Sequence, residues 1–326
     1  MTRLFITPKP AGNSGPAVAL GRIMPHLEKF GFIQTPGFWS PWDMALVNLG
    51  GREALGVLFR GKPFAFRAAG YFIREIFDRN GRPWHWRYDW ANLQTKLFLK
   101  RAGRVIFQSE YARQVHTAQV LQATGRATVI HNGVDLEQFR PFSQRGRALP
   151  VIGVAGKLRH ERAYDLTRVS ARLPIPHKLF VVGQTDRVDR AAMTLHAAQR
   201  GIELHCPGPV AVRQLPEMYN EIDILVHLAA ADVCPNVVVE ALACGVPVVC
   251  HAYGGTAELV GDGGISVPGS PYRVDDGFIA TMAAAIETVW QDHQGYRARA
   301  RARAEKELDV KAVAARYAAV LDQVRL

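Results

Sequence analysis

Short apolar runs alternate with helical patterns through both halves of this 326-residue chain. In the first half, Leu4–Ile6, Ala45–Val47, Phe64–Arg67, Val105–Phe107 and Thr128–Ile130 read as strands. In the second half, Val151–Val154, Leu179–Val182, Ile202–His205, Ile224–His227 and Val246–Cys250 do the same. Helix-period stretches such as Pro16–Phe30, Arg113–Ala123, Leu215–Glu221 and Val237–Cys244 stand between them. Strand, helix, strand at this spacing predicts an α/β chain: a parallel sheet flanked by helices, repeated in two domains. The boundary falls in F-R-P-F-S-Q-R-G-R-A-L-P, residues 139–150, which is rich in breakers and charge and has no periodicity. Domains of 1–145 and 146–310 follow, with an amphipathic helix in the last segment, 311–326. The biased stretch R-A-R-A-R-A-R, residues 297–303, spreads its arginines around a helix and reads as a solvated face.

Composition changes the picture in three ways. Hydrophobic content of 48% and charged content of 21% are globular values. No apolar run approaches the roughly 18 residues of a transmembrane helix. The start, M-T-R-L-F-I-T-P-K-P, lacks a signal peptide's apolar region, so a cytoplasmic chain is expected. The four cysteines, Cys206, Cys234, Cys244 and Cys250, have neither CxxC nor Cys/His ligand spacing and read as reduced thiols. Charge is unevenly spread: residues 1–150 carry 21 Lys+Arg against 9 Asp+Glu, residues 151–326 carry 19 against 20. A basic half beside a neutral half implies an anionic partner for the first. Nucleic acid is disfavoured, because no helix-turn-helix, zinc or RNA-stacking signature accompanies the charge.

Three stretches carry candidate chemistry. In G-V-A-G-K-L-R-H-E-R-A-Y-D, residues 153–165, a strand runs into Gly156, and Lys157, Arg159 and Arg162 follow. Cations just past a strand suit a diphosphate. In G-N-S-G-P-A, residues 12–17, glycines open a helix whose N-terminus favours an anion. In D-V-C-P-N-V-V-V-E-A-L-A-C-G, Glu240 is the one ionisable side chain on an otherwise apolar helix, eight residues after Asp232. Burying it unpaired would be costly, so it is expected to look into a wet cleft. Pro235 is placed to start that helix, which would leave the amides of Asn236, Val237 and Val238 pointing outward. Acid, helix N-terminus and acid together fit a nucleotide-sugar, with hydroxyls at each end and a diphosphate between.

These stretches resemble the family 4 (group 1) retaining glycosyltransferases of the GT-B fold. The motifs are G-K-L-R-H-E-R-A, D-V-C-P-N-V-V-V-E and E-A-L-A-C-G-V-P-V-V, with V-I-F-Q-S-E-Y-A-R (105–113), V-I-H-N-G-V-D (129–135), C-P-G-P-V (206–210) and Y-G-G-T-A-E-L-V (253–260). The resemblance implies two Rossmann-like domains facing across a cleft: an N-terminal acceptor domain and a C-terminal donor domain, with the last helix crossing back to the first. It implies transfer of a sugar from a nucleoside diphosphate-sugar to a saccharide or lipid-linked acceptor, as in cell-surface polysaccharide or glycolipid synthesis. The nucleotide-sugar is a co-substrate, and no metal or resident cofactor is implied. By residue, Lys157 and Arg162 match the cations on the donor diphosphate, Asp232 the acid facing the transferred sugar, and Glu240 the acid on the ribose. Asn236, Val237 and Val238 match backbone that meets phosphate, Val210 the segment lining the base, and Gly12, Asn13, Ser14 and Gly15 the loop closing over the donor. The basic first domain fits peripheral contact with an anionic membrane at its inner face. Three departures stand out: Asp232 replaces a glutamate, Ala163 replaces the usual glycine, and R-A-A-G (67–70) lacks the aspartate of Arg-x-Asp-Gly. No acceptor-activating group follows from the sequence, and His26, His85 and His131 read as structural or exposed. The alternatives are a non-catalytic sugar-nucleotide binder or a sugar-nucleotide epimerase of the same fold.

Overall fold

The computed structural model of the chain describes residues 1–7, 14–48, 52–68, 70–79, 83–119, 124–142 and 147–325. They form two compact units, Met1–Asp135 with Glu307–Leu326, and Leu136–Lys306. The first contains β1 (Thr2–Thr7), α1 (Gly15–Leu27), β2 (Phe32–Gln34), β3 (Met44–Asn48), α2 (Arg52–Phe59), β4 (Phe64–Ala68), α3 (Arg74–Arg79), α4 (Trp86–Arg101), β5 (Arg104–Phe107), α5 (Glu110–Gln119) and β6 (Ala127–Val129). Its sheet runs β2-β1-β3-β4-β5-β6, all parallel. Both β3 and β4 are buried at every position, because helices cover a parallel sheet on both faces.

The second unit contains β7 (Val151–Ala155), α6 (His160–Arg172), β8 (Lys178–Val182), α7 (Arg187–Gln199), β9 (Leu204–Gly208), α8 (Leu215–Asn220), β10 (Ile224–His227), α9 (Asn236–Ala243), β11 (Val248–His251), α10 (Thr256–Val260), β12 (Gly264–Val267), α11 (Asp276–Gln291) and α12 (His293–Glu307). Its parallel sheet runs β12-β11-β10-β7-β8-β9. The last helix, α13 (Val310–Arg325), belongs to the first unit. There Val313, Tyr317 and Leu321 join Leu4, Ile6 and Leu20 in one core. The α/β class expected from the apolar runs is therefore present twice.

Several expectations change. The first unit closes at Asp135 rather than near residue 145. The chain from Leu136 on is tied into the second unit: Phe142 N–H donates to Asn220 Oδ1 at 2.7 Å and Arg301 donates to the Phe139 carbonyl at 3.0 Å. The strands β2 and β12 were not expected; β2 is three residues long, too short to carry an alternation, and β12 begins at a glycine. Part of the predicted helix Arg113–Ala123, residues 120–123, lies outside the described residues. The arginines of 297–303 are not a solvated face. Arg301 donates to the carbonyls of Phe139 and Ala243, Arg303 to those of Glu258 and Leu259, and Arg299 to that of Asp262. The alternating alanines explain this. Ala300 and Ala304 are fully buried, and a Cβ at Gly263 would lie 2.8 Å from the Ala300 Cα. Small residues let α12 approach so closely that the arginine stems lie along the unit and reach carbonyls of its loops and helix ends.

In R-A-A-G, Arg67 is buried at the carboxyl end of β4. Its guanidinium donates to Tyr317 Oη at 3.0 Å, Asn48 Oδ1 at 3.0 Å and Asn132 Oδ1 at 2.7 Å. These bonds fasten α13, the end of β3 and the loop of Asn132 to β4. Tyr317→Phe should cost about 1.5–3 kcal/mol in equilibrium urea unfolding, the worth of a hydrogen bond to a charged group. Arg67→Met should cost about 2–4 kcal/mol, since it removes three buried hydrogen bonds from a charged donor at once.

Candidate functional site

In the second sheet the chain winds outward from β7 through β8 to β9, then returns to place β10 on the other side of β7. Such a switch point opens a crevice beyond the carboxyl ends of the two central strands. Most of the singled-out residues of the second unit gather there.

At the end of β7 the backbone turns at Gly156, φ +98°, and its N–H bonds to the Val182 carbonyl at 2.9 Å. Gly183, φ +122°, follows β8, and a Cβ there would stand 2.0 Å from the Gly156 oxygen. Two glycines are needed for the loops to cross. A Cβ at Gly156 would also lie 3.3 Å from Val237 Cγ1, so the Lys157 loop adjoins the first turn of α9. Lys157 is exposed, and Arg162 is half-buried in the first turn of α6.

Past β10, Ala231 holds a left-handed backbone, φ +60°, which costs an alanine about 1–2 kcal/mol. The strain is held by the Y-G-G-T loop. Ala231 N–H donates to the Tyr253 carbonyl and Gly255 N–H to the Asp232 carbonyl, each at 2.7 Å. A Cβ at Gly254 would stand 2.9 Å from that same Asp232 oxygen. The loop therefore fixes the direction of Asp232. His227, the last residue of β10 and 8% exposed, lies with Nε2 3.6 Å from Asp232 Oδ2. That is longer than a hydrogen bond, and among the described residues the ring nitrogen has no hydrogen-bond partner. Burial pushes the Asp232 carboxyl up. The His227 imidazole, the Arg162 guanidinium and the Val233 N–H outweigh it and hold the pKa below its ordinary value.

Helix α9 begins after Pro235, which offers no side-chain acceptor as a cap. The outward amide expected at Val238 is not there: its N–H donates to the Pro235 carbonyl at 3.1 Å, and the residue is fully buried. Glu240 differs from expectation too. It is 4% exposed, and its Oε2 accepts from Tyr219 Oη at 2.6 Å. The lone acid of the apolar helix thus has a partner within the protein. A two-turn helix packed on all sides leaves its one carboxylate to be met by a hydroxyl from α8. Val210 is half-buried just after β9. In the first unit Ser14 caps α1, its Oγ accepting from Ala17 N–H at 3.4 Å, and Gly15 opens that helix. Gly12 and Asn13 lie outside the described residues. Of the histidines, His85 caps α4 by accepting from Arg87 N–H at 3.2 Å.

Sequence reasoning missed His227 and Tyr219. A signal for the first existed: a histidine ending the apolar strand I-L-V-H five residues before an acid. For Tyr219 there was none, since only folding brings α8 beside α9. His227→Leu should raise the Asp232 pKa, read from its carboxyl ¹³C shift across a pH titration. Held low, the wild-type carboxyl contributes stability that is present above the ordinary value of about 3.9 and lost as pH falls through its lower folded value. In the variant that contribution should be smaller, and its loss complete at a higher pH. An unmoved titration would remove His227 as a cause.

Comparison with known proteins follows the same lines. The model of the family described as "Glycosyl transferases group 1" matches residues 137–307. D-inositol 3-phosphate glycosyltransferase of Mycolicibacterium smegmatis is 32% identical over 178 residues, 50% of this chain and 40% of that protein. GDP-mannose-dependent alpha-mannosyltransferase of Mycobacterium tuberculosis is 32% identical over 145 residues, 39% of this chain and 34% of that one. The chain thus spans less than half the length of these curated relatives. Among solved structures, Anabaena HepE in complex with UDP and glucose matches with a TM-score of 0.71 at 18% identity, covering 99% of this chain and 100% of that one. Sucrose-phosphate synthase from Thermosynechococcus elongatus matches at 0.76 and 15% identity, covering 98% of each. At those identities the likeness is one of fold, the GT-B fold. With the family model spanning 137–307, more than half of its residues, the chain belongs to the group 1 glycosyl transferases.

Proposed function

We propose that the chain transfers a sugar, with retention of anomeric configuration, from a nucleoside diphosphate-sugar to a saccharide or lipid-linked acceptor. One observation carries this reading. Lys157, Arg162, the start of α9 and Asp232 converge at the switch point between β7 and β10, with Arg162 close enough to lower the Asp232 pKa. Breaking the bond from sugar to diphosphate leaves negative charge on the departing phosphate. Fixed cations aimed there stabilise that charge more in the transition state than in the bound donor. Lys157 and Arg162 have that role, joined by the backbone at Asn236 and Val237. Asp232, kept ionised and pointed by the Y-G-G-T loop, accepts from a hydroxyl of the transferred sugar. The ribose would be met beside Glu240, whose Tyr219 hydrogen bond fixes one oxygen of its carboxylate. These residues supply the charge balance without a bound metal ion.

The relatives' names support the donor class. One depends on GDP-mannose, and HepE has been solved with UDP and with UDP-glucose. They differ in base and sugar, so the class is carried over and the particular donor is not. A role in cell-surface polysaccharide or glycolipid synthesis fits such an activity, in a chain acting at the cytoplasmic side.

Thermal shifts against UDP, GDP, ADP and CMP and their sugars test the reading. One nucleotide series should stabilise the wild type, by about 2.7 kcal/mol at a hundred times Kd. Lys157→Ala, at an exposed position, should keep its melting temperature and lose most of that shift. Turnover of the same donor, unaffected by EDTA, with an α-to-α or β-to-β product by NMR, should follow. Binding without turnover would leave a sugar-nucleotide binder, and no shift with any nucleotide would end the proposal.

A further inference from the structure

Helix α4, in the crossover between β4 and β5, is built inside out. It buries Asn92, Gln94 and Thr95 together with Phe98 and Leu99. Two of these inward polar side chains are satisfied locally. Asn92 exchanges hydrogen bonds with the Phe72 backbone at 2.8 and 3.0 Å, and Thr95 Oγ1 donates to the Ala91 carbonyl at 2.9 Å. Outward go Trp86, 66% exposed, Trp90, 46%, Leu93, 47%, and Leu97, 37%. At 100° per residue these four positions share a stripe about 60° wide. Single exposed apolar residues are ordinary on a protein surface; two tryptophans and two leucines on one stripe are not.

The rim of the stripe is basic. Arg87, Lys96, Lys100 and Arg101 lie on the same helix, and its one acid, Asp89, already accepts from Trp84 Nε1 at 2.9 Å. The Arg87 guanidinium stands 5.8 Å from the Trp86 ring centroid. The stripe is also held rigid before anything binds. On the inner side of α4, the Phe98 ring centroid lies 6.0 Å from that of Phe64 and 5.3 Å from that of Phe66.

We propose that this face of α4 docks on an anionic lipid bilayer. The helix lies flat, with Trp86, Trp90, Leu93 and Leu97 at the boundary of headgroups and acyl chains. Arg87, Lys96, Lys100 and Arg101 meet the lipid phosphates. Charge decides between occupants. A second copy would bring one basic rim against another across a two-fold axis, which is repulsive, whereas an anionic surface complements the whole stripe. The contact is peripheral, since no helix among the described residues is long and apolar enough to cross a membrane. It concerns where the chain sits, and holds whether or not a nucleotide-sugar is turned over.

Vesicle flotation of the full chain tests this. Phosphatidylcholine vesicles containing phosphatidylglycerol should recover the protein at least about tenfold better than phosphatidylcholine alone, and rising salt should erase the difference. Trp86→Ser with Trp90→Ser, and separately Lys100→Gln with Arg101→Gln, should each lower the partition about tenfold or more. Their circular dichroism and melting should stay unchanged, because all four side chains are exposed. Leu195→Ser, an exposed apolar residue of the other unit, should leave binding as it is. Equal recovery on both vesicles, recovery on neither, or wild-type binding by the tryptophan variant would overturn the proposal. So would a dimer in sedimentation equilibrium that the tryptophan variant dissolves, for then the occupant is a second copy.

Discussion

The second unit depends on the crossing of two loops with no room for a side chain. A Cβ at residue 183 would stand 2.0 Å from the carbonyl oxygen of Gly156, and both residues take backbone angles that glycine adopts freely. Because the loops cross there, the end of β7 is carried against the first turn of α9. Lys157, Arg162 and the start of that helix therefore come to one place. Widening the crossing would move the cations away from the helix start and from Asp232 together.

Two acids lie eight residues apart near this point, and the fold treats them differently. Asp232 sits in a strained loop, braced by backbone hydrogen bonds from the Y-G-G-T segment, with a histidine and an arginine nearby that favour its charged form. Glu240 sits in the body of the unit, with Tyr219 on one oxygen. The first is held in direction by strain stored in a neighbouring alanine, a common arrangement where a side chain must be aimed. The second is held by packing. His227 gives the shorter of the two acids a polar neighbour inside the protein.

The two units also use arginine in contrasting ways. In the first, Arg67 is buried among neutral oxygens and ties the last helix to the sheet. In the second, the arginines of α12 lie along the surface and satisfy carbonyls of loops and helix ends. Both fix a segment by serving several acceptors at once, which suits a planar group with five donors. On α4 the basic residues do neither; they frame an apolar stripe that the fold leaves uncovered.

The strands β3, β4, β8 and β10 were legible because continuous apolar runs can only be satisfied between two layers of helices. The helix with a lone glutamate was legible for the same reason: a carboxylate among valines and alanines must meet a partner. The sequence by itself thus determined a twice-repeated α/β chain, and it marked the loops after Val154 and after His227 as the places for polar chemistry. Which partner each group meets was decided only by the tertiary structure. Tyr219 reaches Glu240 from another helix, Arg301 reaches carbonyls far away in the chain, and Val238 turns its amide inward. The inverted face of α4 could not be read from periodicity either, since tryptophans and leucines at helical spacing look alike whether they face the sheet or the solvent. Periodicity records that a helix has two sides; only packing decides which side is covered.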